Sequence, residues 1–230
     1  MSISIGGVES FTTVDFPHRL AAVLFCRGCP LRCPYCHNPE LQMFAGKDYI
    51  SWETFIEFLK TRQKLLDGVV FSGGEPLAQA ELRSAMEQVK SMGFEVGLHT
   101  SGVNSQRLAE VLPLITWVGF DVKTDFDNYG RIPLANGKTA EKCLDLCLES
   151  GVELECRTTL DPRVIKKDEL LPMAEKLAAK GVKTYAMQEF RPHPNDKTAP
   201  ALEQRTAFFT DKKMLERLRG LFDEVIVRMA

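Results

Sequence analysis

The stretch "CRGCPLRCPYCHNPE", residues 26–40, places four cysteines within eleven positions: Cys26, Cys29, Cys33 and Cys36. Structural zinc sites usually pair two C-x2-C knuckles across a dozen or more residues, whereas only three residues separate Cys29 from Cys33. The bacterial ferredoxin run, C-x2-C-x2-C-x3-C followed by proline, does not match either. The subset C-x3-C-x2-C remains, and three thiolates on one tight loop can hold a cubane [4Fe–4S] cluster while one iron keeps no protein ligand. We call residues 26–40 the cysteine loop.

Short apolar runs, rich in β-forming residues and bounded by glycine or polar residues, alternate with longer amphipathic runs on both sides of this loop. They predict six buried strands, at 21–25, 68–73, 94–100, 116–122, 152–158 and 182–190. Helices are predicted between them, at 52–65, 77–91, 105–112, 138–149 and 167–180. Ser51 is a plausible N-cap, and Gly93, Gly151 and Gly181 each follow a helix where a left-handed C-cap favours glycine.

Alternating strands and helices predict an α/β fold with a parallel sheet and right-handed crossovers. A complete eight-unit barrel needs about 250 residues, so this chain falls short. We predict a partial (β/α)6 TIM-type barrel, open on one side and extended by a helix at 201–219 and a short strand at 222–228. A flat doubly wound sheet is the alternative. We expect one domain over 1–230, with the barrel core at about 20–190 and a C-terminal extension at 191–230.

The composition restricts the partners and the compartment. Lysine and arginine total 29 against 31 acidic residues, which gives no broad electrostatic reason to expect nucleic-acid or anionic-membrane binding. The apolar run at 20–25 is far shorter than the roughly 20 residues of a membrane span, and Glu9 and Asp15 precede it where a signal peptide would be basic. Seven unevenly clustered cysteines suit a reducing compartment. We therefore predict a cytoplasmic protein without nucleic-acid or membrane partners.

The segment "GCPLRCPYCHNPE" resembles the C-x3-C-x2-C loop of the radical S-adenosylmethionine (radical SAM) superfamily, whose fold is a partial or full βα barrel. Residues 10–40 are similar to the N-terminal region of activating enzymes for glycyl radical enzymes, such as those for pyruvate formate-lyase and anaerobic ribonucleoside-triphosphate reductase. The resemblance implies that Cys29, Cys33 and Cys36 ligate a [4Fe–4S] cluster and that SAM binds its open iron. Reductive cleavage of SAM would then give a 5′-deoxyadenosyl radical.

Two further segments match the family at the ends of predicted strands, where the active-site loops of a parallel barrel gather. In "FSGGEP", 71–76, the resemblance assigns Ser72, Gly73, Gly74 and Glu75 to SAM binding, and glycine lets a backbone approach a ligand closely. In "HTSG", 99–102, Thr100 would lie beside SAM. The residues on either side of it, His99 and Ser101, depart from the Asp-Thr-Asn-Gly pattern of the family.

The remaining site residues follow from the same comparison. Asp121 and Lys123, in "FDVK", match a family Asp-Leu-Lys segment and are the predicted catalytic polar groups. Arg157 matches an arginine near the SAM carboxylate, where a guanidinium fork suits the ligand. Tyr35 and His37 are expected in the nucleotide pocket.

Weaker candidates lie elsewhere in the sequence. Gln188 lies in the sixth predicted strand, and Arg191 and His193 follow it. Asp15 either lies near the opening of the site or caps a turn. The cysteines outside the predicted ligand set are expected to be packed thiols, because free cysteine is among the most buried residue types; they are Cys26, Cys143, Cys147 and Cys156.

The resemblance implies an enzyme that takes a hydrogen atom from a glycine Cα and so activates a partner glycyl radical enzyme such as anaerobic ribonucleotide reductase. Reduced flavodoxin or ferredoxin would supply the electron. A radical SAM enzyme acting on a small molecule or another peptide is the alternative. A non-catalytic iron–sulfur or zinc module is disfavoured, because an electron carrier normally fills all four iron positions with cysteine.

Overall fold

A computed structural model describes residues 3–229 of the chain. Eight strands form one sheet: β1 (Ile5–Thr12), β2 (Ala21–Cys26), β3 (Gly68–Gly73), β4 (Glu95–Thr100), β5 (Trp117–Asp121), β6 (Glu153–Leu160), β7 (Thr184–Glu189) and β8 (Glu224–Arg228). Seven α-helices accompany them: α1 (Trp52–Lys60), α2 (Leu82–Ser91), α3 (Ser105–Val111), α4 (Gly137–Ser150), α5 (Lys167–Lys180), α6 (Leu202–Thr206) and α7 (Lys212–Arg219). The alternation expected from the sequence is confirmed.

The strands lie side by side in sequence order, from β1 to β8. Strand β1 pairs antiparallel with β2, and every later neighbour is parallel. A doubly wound sheet would reverse its strand order part-way, so this alternative is wrong. The partial barrel, open between β1 and β8, is confirmed, and β8 extends its parallel part to seven strands.

Several boundaries differ from the sequence prediction. Strand β1 was not predicted, because "IGGVESFT" contains two glycines and no apolar alternation. The helix predicted at 201–219 is two helices, since Asp211 accepts a hydrogen bond from the Met214 amide and starts α7 anew. Ser51 caps α1 as expected, and Gly151 and Gly181 end α4 and α5 with φ of +70° and +100°.

Alternate strand residues face opposite sides of the sheet, and each side has its own apolar core. The outer face carries Leu24, Phe71, Leu98 and Phe120, which pack under the helices in the main core. The inner face, inside the barrel, carries a smaller core in which all members are buried: Phe16, Ala21, Val23, Val70 and Trp117. Within residues 3–229, no helix is long and apolar enough to cross a bilayer.

A third apolar group lies above the barrel, at the carboxyl ends of the strands. We call it the upper core; it consists of Cys29, Leu31, Tyr35, Ile132, Val164 and Phe190. Its first three members belong to the cysteine loop, and the others follow β5, β6 and β7. The loop after β2 therefore reaches across the barrel and packs on loops from the far side of the sheet.

Candidate active site

The carboxyl ends of β2 to β6 surround a cavity of about 210 Å³. All the residues that the sequence assigned to metal, cofactor or catalysis line it: Cys29, Cys33, Tyr35, Cys36, His37, Ser72, Gly73, Gly74, Glu75, Thr100, Asp121, Lys123 and Arg157. Parallel strands end at one edge of a sheet, so residues more than 120 positions apart in the chain reach the same space.

Three thiols of the cysteine loop face this cavity. The Cys36 amide donates to the Cys33 carbonyl at 3.1 Å, which closes a tight turn between them. Burial, together with the charge of Glu75, raises the pKa of the Cys29 thiol to about 12, and burial also raises the pKa of Cys33. Within residues 3–229, no three His, Cys, Asp or Glu side chains are grouped so as to hold one metal ion. Three thiol donors from one loop around such a space fit a multi-iron cluster.

Two glycines, at the last position of β3 and directly after it, bring this strand against the backbone of the cysteine loop. Gly73 has φ of +102°, and a Cβ on Gly74 would lie 2.5 Å from the Gly28 carbonyl oxygen. The Gly74 amide donates to the Cys26 carbonyl at 2.8 Å, and the Glu75 amide donates to the Gly28 carbonyl at 3.0 Å. Only glycine permits this contact, so here the missing side chains make room for the protein's own backbone.

The Glu75 carboxylate, only 1% exposed, is fully occupied by hydrogen bonds. Its Oε1 accepts from the Thr100 hydroxyl at 2.6 Å and from the Leu77 amide at 3.0 Å. Its Oε2 accepts from the Ser101 amide at 2.9 Å and from the Ser101 hydroxyl at 2.6 Å. Glu75 therefore joins the carboxyl ends of β3 and β4, and Ser101, a departure from the family pattern, supplies two of the four donors.

His99 connects the cavity to the loop between β1 and β2. Its Nε2 donates to the Asp15 carbonyl at 3.1 Å, which leaves Nδ1 to accept from the Ser72 hydroxyl at 3.1 Å. Burial, and after it the charge of Arg157, holds the pKa of His99 well below its usual range, so the imidazole is neutral. The Asp15 side chain accepts from the Thr12 hydroxyl at 2.6 Å, and that hydroxyl accepts from the Val14 amide in the turn between them.

A charged triad occupies the wall formed by β5 and β6. The Asp121 carboxylate accepts from the Arg157 Nε at 2.5 Å and lies 3.4 Å from the Lys123 Nζ. Burial alone would raise the pKa of Asp121, but Arg157 and Lys123 lower it well below its usual range. Burial would lower the pKa of Lys123, yet Tyr35 and Asp121 raise it well above its ordinary value. The ammonium also lies 5.6 Å from the centre of the Tyr35 ring.

Sequence reasoning missed some cavity residues. Thr159 lies two positions after Arg157 on β6, and the two-residue period of a strand could have identified it. Leu31, Asn38 and Gln42 also line the cavity, but nothing in their spacing distinguished them.

Other candidates lie outside the lining. Gln188, Arg191 and His193 are not among the cavity residues, within the part of the chain that the structure describes. The four cysteines outside the predicted ligand set are fully buried in the main core, as expected: Cys26, Cys143, Cys147 and Cys156. The Cys143 thiol donates to the Gly102 carbonyl at 3.3 Å.

The chain thus combines an open βα barrel with a cavity lined by three thiols of one loop. This arrangement is typical of enzymes that bind an iron–sulfur cluster through a single loop. The family model of the radical SAM superfamily matches residues 23–175. The chain belongs to this superfamily, whose members use a [4Fe–4S] cluster and SAM.

Two relatives of this chain are named as activating enzymes. A protein of Methanocaldococcus jannaschii, provisionally named glycyl-radical enzyme activating enzyme, is 32% identical over 203 residues, which are 84% of this chain and 82% of that protein. The pyruvate formate-lyase-activating enzyme of Clostridium pasteurianum is 31% identical over 171 residues, 72% of this chain and 71% of the relative.

A solved structure confirms the fold. Streptococcus suis SuiB bound to S-adenosylmethionine superimposes with a TM-score of 0.64 at 10% identity. The match covers 88% of this chain, which spans about half (48%) of the SuiB chain.

Proposed function

We propose that this radical SAM enzyme activates a glycyl radical enzyme by removing a hydrogen atom from a glycine Cα of that partner. The similarity to two activating enzymes over 84% and 72% of the chain carries the proposal. Anaerobic ribonucleotide reductase is a partner that fits the N-terminal sequence resemblance. A barrel that is open between β1 and β8 also leaves a side through which a polypeptide loop could enter.

In this proposal Cys29, Cys33 and Cys36 hold the cluster, because their thiols line one cavity and no disulfide joins them. When bound, the cluster and SAM supply a one-electron cleavage of the sulfonium and a hydrogen-abstracting 5′-deoxyadenosyl radical. The protein contributes position, fixed charge and exclusion of water.

The proposed SAM-binding surface has a polar side and a nucleotide side. Ser72, Gly73, Gly74 and Thr100 form the first, and Glu75 acts by fixing the ends of β3 and β4 rather than by contacting the ligand. Asp121 binds Arg157 through Nε, which leaves Nη1 and Nη2 to bind the SAM carboxylate. Tyr35 and His37, on the cysteine loop, form the nucleotide side.

Asp121 and Lys123 are proposed to act through fixed charge rather than proton transfer. The pKa of Asp121 is held low and the pKa of Lys123 is held high, so neither changes its protonation near neutral pH. A paired anion and cation can orient the substrate and Arg157 without exchanging protons. The Tyr35 ring lies beside the Lys123 ammonium, whose side chain is 9% exposed, so the cation of this pair is largely shielded from water.

Three further proposals accompany this function. Reduced flavodoxin or ferredoxin is the electron donor. The compartment is the cytoplasm, because reducing conditions keep the unpaired thiols of this chain available for a cluster. The chain acts as one domain, in which the loops after β2, β5, β6 and β7 share the upper core.

The test begins with anaerobic reconstitution of the cluster, reduction with dithionite and addition of SAM. Formation of 5′-deoxyadenosine is expected, and a cluster that neither binds nor cleaves SAM would defeat the assignment of the site. The reduced protein is then mixed with anaerobic ribonucleotide reductase. A doublet glycyl EPR signal on that enzyme is expected. The activating function would be overturned if SAM were cleaved but the reductase showed no doublet, and a small molecule or another peptide lost a hydrogen atom instead.

A further inference from the structure

The guanidinium of Arg163 lies between the cysteine loop and two loops on the far side of the barrel. Its Nη2 donates to the Pro34 carbonyl at 3.2 Å. Pro34 directly follows Cys33 and lies two positions before Cys36, so this bond holds the backbone between two of the proposed ligands. The two bonded residues are 129 positions apart. Neither the sequence comparison nor the cavity lining identifies Arg163.

Arg163 is itself held on three sides. Asp161, which is 0% exposed, accepts from its Nε at 3.0 Å and from its Nη2 at 2.6 Å. Its Nη1 donates to the Thr198 hydroxyl at 2.9 Å and lies 3.0 Å from the Asp196 carboxylate. The guanidinium also lies over the Phe190 ring, 5.1 Å from its centre. Because Asp161 is fully buried, its negative charge requires the Arg163 guanidinium as a partner. The guanidinium is therefore held in this position.

The backbone hydrogen bonds from Gly74 and Glu75 hold the start of the cysteine loop, at Cys26 and Gly28, and the Arg32 guanidinium donates within the loop, to the Cys29 and Leu31 carbonyls at 2.7 and 2.9 Å. The Arg32 amide donates to the Pro133 carbonyl at 3.2 Å, and the Cys36 amide donates within the loop. Leu31 and Tyr35 hold the loop through the upper core, but apolar packing is not directional and does not fix the rotation of the 33–36 backbone. A charge-assisted bond to the Pro34 carbonyl does.

We propose that Arg163 is a positioning residue that fixes the 33–36 backbone, and with it the thiols of Cys33 and Cys36, by tying the Pro34 carbonyl to Asp161 and to the 196–198 loop. This inference rests on the proposed cluster ligands. The proline-rich segment 191–200 takes part in this positioning, since Asp196 and Thr198 bind one side of the same guanidinium. A lysine could not replace it, because its donors all lie on one nitrogen, whereas the guanidinium reaches its partners from three nitrogens: Nε and Nη2 on Asp161, Nη1 on Asp196 and Thr198, and Nη2 on Pro34.

Arg131 provides a matched control. Its guanidinium binds Glu169 in a bidentate pair at 2.6 and 2.7 Å and donates to the Val164 carbonyl at 3.0 Å, as Arg163 binds a carboxylate and a carbonyl. Its bonds go to Val164 and Glu169 rather than to the cysteine loop. Arg163→Met and Arg131→Met therefore each remove a carboxylate pair and a bond to a backbone carbonyl, and only the first touches a proposed ligand segment. Arg163→Met also leaves a fully buried carboxylate unpaired, whereas Glu169 is 27% exposed, so Arg163→Lys, which keeps a positive charge beside Asp161, is measured with them.

The experiment uses the reconstituted full-length protein, reduced under anaerobic conditions, and measures the rate of iron release to a ferrous chelator. Residues that orient metal ligands typically contribute about 10–100-fold to metal affinity, so Arg163→Met should release iron at least about tenfold faster. Arg131→Met should stay within about twofold of the wild type. With SAM added, the EPR lines of the reduced cluster should be broader in Arg163→Met than in the wild type or in Arg131→Met. A general loss of stability would not broaden these lines.

Equal release rates and EPR spectra for the two variants would overturn the inference. If Arg163→Met does not fold, Arg163→Lys decides, because it keeps a positive charge beside Asp161 but loses the fork; faster release than in Arg131→Met supports the inference, and an equal rate overturns it. A wild-type protein that assembles no SAM-cleaving cluster would remove the proposed function and this inference together. Wild-type SAM cleavage with unaltered Arg163 variants would remove the inference only.

Discussion

The two ends of the barrel use arginine–carboxylate pairs for different purposes. At the amino end, Arg19 reaches Glu95 on β4 at 2.6 Å and Glu153 on β6 at 2.9 Å, and both carboxylates are about half exposed. At the carboxyl end, Arg157 and Asp121 form a pair that lines a cavity. The first set of charges closes the barrel across its base, whereas the second surrounds a space for ligands. The contrast agrees with the general division of parallel barrels into a stabilising end and a functional end.

The interior shows the same division. Below, Phe16 is fully buried, 5.9 Å from Trp117 between ring centres, and Arg19 lies over its ring at 4.6 Å. His99 marks the boundary between the two ends, because one ring nitrogen binds the Asp15 carbonyl below and the other binds Ser72 at the cavity. Changes above this boundary should affect chemistry more than stability, and changes below it should do the opposite.

The largest difference is expected between two cysteines of one loop. Cys33→Ala should abolish 5′-deoxyadenosine formation, because a proposed cluster ligand is lost. Cys26→Ala should retain it and cost about 1 kcal/mol of stability, because this thiol is buried in the main core. Anaerobic assays with reconstituted protein measure the first effect, and urea unfolding measures the second. The reverse pattern would contradict the proposed ligand set.

The next largest effect concerns the cavity pair. Arg157→Met removes a charged donor from the proposed SAM carboxylate site, and such hydrogen bonds contribute about 1.5–3 kcal/mol. The dissociation constant for SAM should rise about 10–100-fold, as measured by equilibrium binding to the reconstituted protein. Unchanged binding would show that Arg157 serves only to hold Asp121.

The contact between β3 and the cysteine loop predicts a mixed effect. Gly74→Ala would place a Cβ 2.5 Å from the Gly28 carbonyl oxygen, a backbone atom that cannot move aside easily. Overpacking of this kind costs about 1–3 kcal/mol, and the displaced loop should also reduce SAM cleavage. Gly130→Ala is the control, because nothing lies within 4 Å of its Cβ position. Equal unfolding midpoints for the two variants would contradict the close approach.

The residue at the boundary predicts a pH dependence. The pKa of His99 is well below 6.5 in the folded protein, so the unfolded chain takes up a proton near pH 6.5 that the folded chain does not. The stability contribution is complete above pH 6.5 and declines below it, by about 1.4 kcal/mol per pH unit. Urea unfolding of the wild type and of His99→Gln, measured between about pH 7.5 and pH 5.5, isolates the contribution of His99 to stability. The lower limit is about one unit below the ordinary pKa of histidine. Parallel pH curves would disprove this contribution.

The smallest effect is expected at the base. Arg19→Met loses two half-exposed ion pairs, and pairs of this kind contribute about 1 kcal/mol or less each. Thermal unfolding should shift by a few degrees while SAM cleavage stays within about twofold of the wild type. A larger loss of activity than Arg157→Met shows would reverse the proposed division between the two ends.

Local patterns in the sequence determined most of the architecture and the membership of the site. The hydrophobic period and the flanking glycines located β2 to β8, because these signals act within a few residues along the chain. The resemblance to the radical SAM family named the cavity set, and the strand pattern agrees with it, since Asp121 and Arg157 each lie one position before the end of a predicted strand and parallel strands end at one edge. Strand β1 could not be predicted in the same way, because a polar, glycine-containing edge strand is stabilised by its pairing with β2.

Only the tertiary structure decided what the polar groups bind. Glu75 accepts three of its four hydrogen bonds from residues 25 and 26 positions away, so it braces β3 against β4. His99 carries its proton on Nε2 because the Asp15 carbonyl accepts it, 84 positions earlier. Arg163 reaches Pro34 only because β6 and the cysteine loop end on the same side of the sheet. The sequence specifies which side chains reach that side, but hydrogen bonds and buried charges depend on distances that exist only after the strands have paired.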